Sequence, residues 1–214
     1  MPPSDLPIAP YDHDDDLLAG ALADGRPRLR VYRPEGIAVV LGRGSRPEVE
    51  LDLAACRADE VPLRRRRGGG CAVVLDPGSV VVALALPAGR PGAIRERFRR
   101  LSDWILEGLA GLGIDGIRRA GVSDLVLGDR KVGGACMSFS QGRLFYGITL
   151  LAEPPVGLME RYLRHPPREP EYRRKRRHAE FVGSLAEAFP ARGEAASLRA
   201  GLAGTLGPPD LPQA

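Results

Sequence analysis

Two segments of this chain hold the side chains best suited to chemistry, and both set cations against glycines. The first reads Arg64-Arg65-Arg66-Arg67-Gly68-Gly69-Gly70-Cys71. The second reads Ser123-Asp124-Leu125-Val126-Leu127-Gly128-Asp129-Arg130-Lys131-Val132-Gly133-Gly134. Glycine has no Cβ, so such a loop can turn through positive φ and bring its backbone close to a ligand. Successive N–H groups there form an anion-binding nest, and guanidinium groups add planar recognition of phosphate. Lys131 stands just past a Gly-Asp turn, and Gly133-Gly134 leave room beside it. Of the 31 Lys and Arg residues only Lys131 and Lys175 are lysines. A GC-rich coding bias accounts for that skew. Against it, Lys131 offers a compact charge suited to an acyl carboxylate or a phosphate. The chemistry implied is capture of a small molecule carrying phosphate or carboxylate. A solvated basic run and a surface lysine beside a turn are the plain alternatives.

The elements that must position these segments are legible in outline. A short helix through Leu17, Leu18 and Leu22 ends at Asp24-Gly25. Leu29–Tyr32 and Ile37–Leu41 read as strands around Pro34-Glu35-Gly36, and a helix is expected through Leu51–Cys56. Cys71–Leu75 and Val80–Leu86 flank Asp76-Pro77-Gly78-Ser79, which predicts a β-hairpin. The almost wholly apolar second strand predicts cover on both faces. Ile94, Phe98, Leu101, Ile105, Leu109 and Leu112 recur at spacings of three and four, predicting a helix over 92–112 with Trp104 beside its stripe. Residues 123–151 read as an antiparallel meander. The fold class expected is α+β (α/β), with mixed or antiparallel sheets packed against helices on one side. Residues 1–12 are expected to be flexible, 13–190 to form the catalytic domain, and 191–214 to be an Ala/Gly/Pro-rich tail.

Composition limits the alternatives. At 214 residues and 43% hydrophobic content the chain can bury a core. No apolar run approaches a membrane span. The start of the chain is acidic rather than basic then apolar, so no signal peptide is expected and the location expected is cytoplasmic. Three scattered cysteines fit neither a zinc site nor a disulfide framework.

The order and spacing of the motifs resemble the lipoate–protein ligase family, grouped with octanoyltransferases and biotin ligases. The resemblance spans about residues 15 to 190. It rests on Gly42-Arg43, Arg65-Arg66, Gly69-Gly70, Asp76 with Gly78, Ser123-Asp124-Leu125, Asp129-Arg130-Lys131-Val132, and Tyr172-Arg173 with Arg176, His178 and Phe181. It implies a biotin/lipoate-ligase-like catalytic domain that uses ATP and Mg²⁺ to activate lipoate, or octanoate, as acyl-AMP. The acyl group then passes to a lysine of a lipoyl-acceptor protein domain. By the same resemblance, Lys131 holds the acyl carbonyl and the α-phosphate. Arg66 contacts phosphate, with Arg173 and Arg176 on the phosphate or adenine side. Gly69, Gly70, Cys71, Val73 and Gly134 line the lipoate pocket. Asp124 holds Mg²⁺ or orients Lys131. Many relatives carry an extra C-terminal domain that this sequence does not show, which leaves an accessory ligase subunit open as a second partner. The sequence departs from the family pattern at Cys71 (a loop glycine), Leu75 (a His before Asp76) and Tyr146 (the His of a His-Gly pair).

Three other readings compete with this one. An ATP-independent octanoyl or lipoyl transferase would need a cysteine nucleophile, yet none stands in Arg118–Val122 or around Arg143. A basic binder would use Arg64–Arg67 and Arg173–Arg177, but aromatics are only 5% of residues and none lies within these arginine runs, which disfavours nucleic acid. A relative that binds lipoate without catalysis is disfavoured by the presence of Lys131.

Overall fold

The computed structural model describes residues 6–88 and 93–209. In chain order the elements are β1 (Ile8–Pro10), α1 (Asp15–Asp24), β2 (Arg28–Tyr32), β3 (Ala38–Leu41), α2 (Pro47–Glu50), α3 (Leu53–Ala58), β4 (Leu63–Arg65), β5 (Val73–Leu75) and β6 (Ser79–Pro87). There follow α4 (Ile94–Gly111), β7 (Ile117–Ala120), β8 (Asp124–Leu127), β9 (Arg130–Ser140), β10 (Arg143–Leu151), α5 (Val156–Tyr162), α6 (His178–Phe181), α7 (Leu185–Ala188) and α8 (Ala195–Thr205).

The strands form two sheets. The larger is antiparallel with order β2-β6-β10-β9-β8-β7, and the smaller is mixed with order β1-β4-β3-β5. β6 is the hub of the large sheet, and alternation along it explains the layering. Val80, Val82, Leu84 and Leu86 point into the main core with Phe98, Leu101, Ile105 and Leu109 of α4 and Leu198 and Leu202 of α8. Ala83 and Ala85 point the other way, where Leu17 and Ala21 of α1 cover them. An all-apolar strand is stable here because both faces are out of water, as expected from its composition. The small sheet closes a second core with α3, α5 and α6.

Several expectations are corrected. The strands on either side of Pro34-Glu35-Gly36 do not pair, since β2 joins the large sheet and β3 the small one. The Asp76–Ser79 turn likewise is no hairpin. β5 pairs with β3, β6 pairs with β2 and β10, and the turn carries the chain from one sheet to the other. Helices lie on both faces of the large sheet, not on one. Within the segment expected to be flexible, Ile8–Pro10 form a strand parallel to β4. The expected tail contains α8, whose Ala195, Leu198 and Leu202 are buried in the main core, and Trp104 Nε1 donates to the Gly207 carbonyl at 3.1 Å. Small residues let that helix approach closely: a Cβ on Gly108 would meet Leu206 at 2.6 Å. The expectations for residues 1–5, for Gly92 and for residues 210–214 lie outside the described residues.

The 123–151 meander is present as β8, β9 and β10, with Gly128 (φ +60°) at the first turn. The long amphipathic helix is α4, ending at Gly111. Among the described residues no helix is long and apolar enough to cross a membrane.

Candidate active site

The two sheets splay apart over one cleft, a cavity of about 1290 Å³. It is lined by the glycine loop between β4 and β5, one face of β6, β10 and β9, the start of β8, and the segment 164–174 with α6. Of the residues singled out in the sequence, Arg66, Gly69, Gly70, Cys71, Val73, Asp124, Lys131, Gly134 and Arg173 all line it. Arg176 is not among the lining residues.

The floor follows from strand register. Residues directly opposite across an antiparallel pair point to the same face. Tyr32, Val81, Thr149, Gly134 and Asp124 stand in one such row across β2, β6, β10, β9 and β8. The neighbouring row places Gly147 between Ala83 and Cys136. Glycine and alanine on this face leave a trough in the sheet.

Lys131 lies at the β8 end of that trough. Its Nζ is 2.8 Å from Asp124 Oδ1, and the Tyr172 hydroxyl donates to Asp124 Oδ2 at 2.7 Å. The side chain folds back over Gly134, where a Cβ would sit 2.8 Å from both Cε and Nζ. A glycine is required at that position for the lysine to take this pose. The Lys131 backbone is held by the segment just after α6, its carbonyl accepting from Gly183 N–H at 2.9 Å. Burial and the neighbouring Asp124 raise the Tyr172 pKa, so the phenol stays protonated and donates.

The glycine loop is pinned from below. A Cβ on Gly42 would come within 1.9 Å of the Gly70 carbonyl oxygen, so two backbones touch at that point. Gly70 takes φ +94°. Glu50, 6% exposed, accepts from Ala72 N–H at 2.6 Å and lies 3.0 Å from the Ser45 hydroxyl, which itself is 3.1 Å from the Gly70 carbonyl. Arg66 lies on the cavity wall, but its guanidinium is engaged by loop carbonyls. It donates to Val40 at 3.0 Å, to Gly69 at 2.8 and 3.2 Å, and to Cys71 at 2.9 Å. These use four of its five N–H groups. Arg66 therefore shapes the loop first, and it also lies within hydrogen-bonding reach of the Cys136 thiol.

Arg173 has the opposite character. It is 5% exposed, its guanidinium stacks 4.7 Å from the Phe181 ring centroid, and Nε donates to the Arg176 carbonyl. Its Nη2 is buried with no partner among the described residues. Burial lowers its pKa, a cost that an anion in the cleft would offset. Arg176 instead ties the segment together through Asp129 at 2.7 Å and the carbonyls of Asp129 and Tyr172. His178 lines the cavity too, and burial, then Arg173, pushes its pKa down to about 4.

No group of three or more His, Cys, Asp and Glu side chains among the described residues could hold a metal ion. Asp124, the expected Mg²⁺ ligand, has one oxygen on Lys131 and the other on Tyr172. This arrangement suits the orienting role. Cys71 and Cys136 line the cavity, and burial raises the pKa of both thiols. Neither is held as a thiolate, the form that a thioester mechanism uses.

Sequence reasoning missed Glu50, Ser45 and the cluster Tyr11, Asp14 and Tyr32, which also lines the cavity. Glu50 carried a faint signal, an acidic residue ahead of the helix at Leu53. The other residues gain meaning only through contacts between distant elements.

Comparison with known proteins fits this geometry. A family model described as the lipoyl protein ligase A/B catalytic domain matches residues 10–203. The chain is 29% identical over 174 residues to a lipoate–protein ligase of Streptococcus pyogenes serotype M5 (strain Manfredo), covering 81% of this chain and 47% of that protein. The chain spans about half the length of that curated relative or less of others. A crystal structure of lipoate–protein ligase A bound with ATP has a TM-score of 0.74 at 22% identity, covering 89% of this chain and 75% of that one. A bi-partite lipoate protein ligase from Thermoplasma acidophilum, studied with its E2 lipoyl domain, has a TM-score of 0.71 at 22% identity, covering 98% and 84%. At these identities the two structures establish a shared fold. The family match reaches from β1 to α8, across both sheets and every side of the cleft: this chain belongs to the lipoyl protein ligase A/B catalytic domain family.

Proposed function

We propose that this chain is the catalytic unit of a lipoate–protein ligase. It activates lipoate, or octanoate, with ATP as acyl-AMP and transfers the acyl group to a lysine of a small acceptor protein. The observation that carries this reading is Lys131, a lysine oriented by a two-handed carboxylate at the head of a trough floored by small residues. In the first step the carboxylate oxygen attacks the α-phosphorus and pyrophosphate leaves. Lys131 Nζ is placed to bind the attacking carboxylate and to stabilise charge growing on the phosphoryl oxygens. Arg173, with its unpartnered Nη2, is the phosphate contact we favour, with Arg66 second and Arg176 acting through Arg173 and Asp129. In the second step the acceptor amine attacks the acyl carbon and AMP leaves.

Mg²⁺ is read as arriving with ATP, held chiefly by the phosphates, as is common for this ion. Asp124 is then the residue that orients Lys131. Gly69, Gly70, Cys71, Val73 and Gly134 are assigned to the acyl pocket. The named relatives include a ligase structure with an E2 lipoyl domain and a bi-partite arrangement. By analogy the acceptor here is a lipoyl domain, and an accessory subunit is a second partner to test.

The test is mass spectrometry of the protein after incubation with ATP, Mg²⁺ and lipoate. Recovery of lipoyl-AMP bound to the protein supports the reading. No adenylate from ATP and lipoate, with an acyl thioester on Cys71 or Cys136 after incubation with an acyl-carrier thioester, would favour the transferase.

A further inference from the structure

The trough ends in a polar cluster that the activation chemistry does not use. Asp14, at the start of α1, is 6% exposed. The Tyr32 hydroxyl donates to its Oδ2 at 3.3 Å, and the Tyr11 hydroxyl lies 2.9 Å from that of Tyr32. Asp14 Oδ1 is buried and has no partner among the described residues. All three residues line the same cavity as Lys131.

The sheet itself supplies a ruler. Lys131 Nζ lies over Gly134, and Gly134, Thr149, Val81 and Tyr32 follow one another across four adjacent strands. Three strand spacings of about 4.8 Å separate Gly134 from Tyr32, about 14 Å in all. A carboxylate at hydrogen-bond distance from Nζ takes up about 3 Å of this. An extended eight-carbon chain, with C–C bonds of about 1.5 Å, covers about 9 Å more. Its far end then arrives within hydrogen-bonding reach of the tyrosine and aspartate. Between the two ends the walls are apolar or small, with Val81, Phe145 and Gly147 on the lining.

We propose that Asp14, Tyr32 and Tyr11 form a hydrogen-bonding subsite at the far end of the acyl trough. It selects medium-chain carboxylic acids that carry a hydroxyl or thiol at the end remote from the carboxylate, the open dithiol form of lipoate among them, over plain hydrocarbon acids. A hydrocarbon end would leave the buried Oδ1 unpaired, as it is among the described residues, whereas a hydroxyl would pair it, which is how a site built for a hydroxyl favours it over the analogue that lacks one. Burial raises the Tyr32 pKa, so its hydroxyl remains a donor to Asp14 and leaves Oδ1 for the ligand. This inference rests on the acyl-binding reading given above.

The experiment is isothermal titration calorimetry of the full chain with octanoate and with 8-hydroxyoctanoate. The wild type is expected to bind the hydroxy acid about tenfold more tightly. Asp14→Leu is expected to reverse the order by gaining affinity for octanoate, a gain that misfolding does not produce. Tyr32→Phe, which keeps the ring, is expected to narrow the ratio and decides the matter if Asp14→Leu does not fold. Equal or tighter octanoate binding by the wild type, or an unchanged ratio in the variants, overturns the subsite alone. Binding of neither acid overturns the acyl-binding reading and the subsite with it.

Discussion

Lys131 Nζ and Asp124 Oδ1 lie 2.8 Å apart, on adjacent strands of the large sheet, at the point where β8 and β9 shift register. The shift falls between Leu125 and Val126, and such irregularities re-aim side chains. Here it sets Lys131 opposite Val126 rather than Leu127, one residue out of step with simple pairing, and lets its side chain reach back over Gly134 to Asp124.

Removing the lysine is therefore expected to remove the step and spare the fold. Lys131→Ala should lower adenylate formation by about 100-fold or more, the scale of losing one preorganised donor to a developing oxyanion. Lys131→Arg should recover little, because a forked guanidinium does not fit the pocket over Gly134. Circular dichroism should match the wild type in both.

Gly134→Ala tests the pose of the lysine without touching its charge. The new methyl meets Cε and Nζ at 2.8 Å, so the flexible chain end must move. Thermal stability should change little, while the acyl-activation rate falls by about 10- to 100-fold, as for a small misplacement of a catalytic group. A rate equal to the wild type would show that the observed pose is not the productive one.

Gly42→Ala should act through stability. The added Cβ meets the Gly70 carbonyl at 1.9 Å, and a backbone atom cannot swing aside as a side chain can. A loss of about 1–3 kcal/mol or more is expected from such overpacking, read by chemical denaturation. Loss of substrate affinity should accompany it, since the same strain displaces the glycine loop.

His178 carries a pH dependence. Its pKa falls from 6.5 unfolded to about 4 folded, so the unfolded chain binds the extra proton across that interval. Its neutral form is favoured by folding above pH 6.5, and stability is lost as pH drops from 6.5 towards 4. Melting temperatures of wild type and His178→Gln should diverge as the pH is lowered from 7 to 5, with the variant losing less. Parallel curves would contradict this.

Much of the frame was legible in the sequence, for reasons that lie in local pattern. The α4 stripe, the doubly buried β6 and the β8–β10 meander each express a periodicity that burial enforces. The pairing of β5 and β2 was not legible. The Asp76–Ser79 turn has hairpin chemistry, but Gly78 is packed against the Glu153 carbonyl, where a Cβ would sit 2.2 Å away, and the chain leaves in another sheet. α8 was hidden by its Ala and Gly content, which suits close helix packing as well as a loose tail. At the site, Lys131, Asp124 and the glycine loop stood out by type and spacing. For Arg66 the sequence records the charge and not the loop carbonyls to which it also donates. Tyr11 and Asp14 come from the link between β1 and α1 and Tyr32 from the end of β2, and only the folded cleft makes them one cluster.

The most direct test of the central claim is pyrophosphate release from ATP and Mg²⁺, with and without lipoate, by wild type, Lys131→Ala and Cys71→Ser. Lipoate-dependent release by wild type and Cys71→Ser but not by Lys131→Ala is the predicted result. Release that survives Lys131→Ala and disappears with Cys71→Ser would contradict the account.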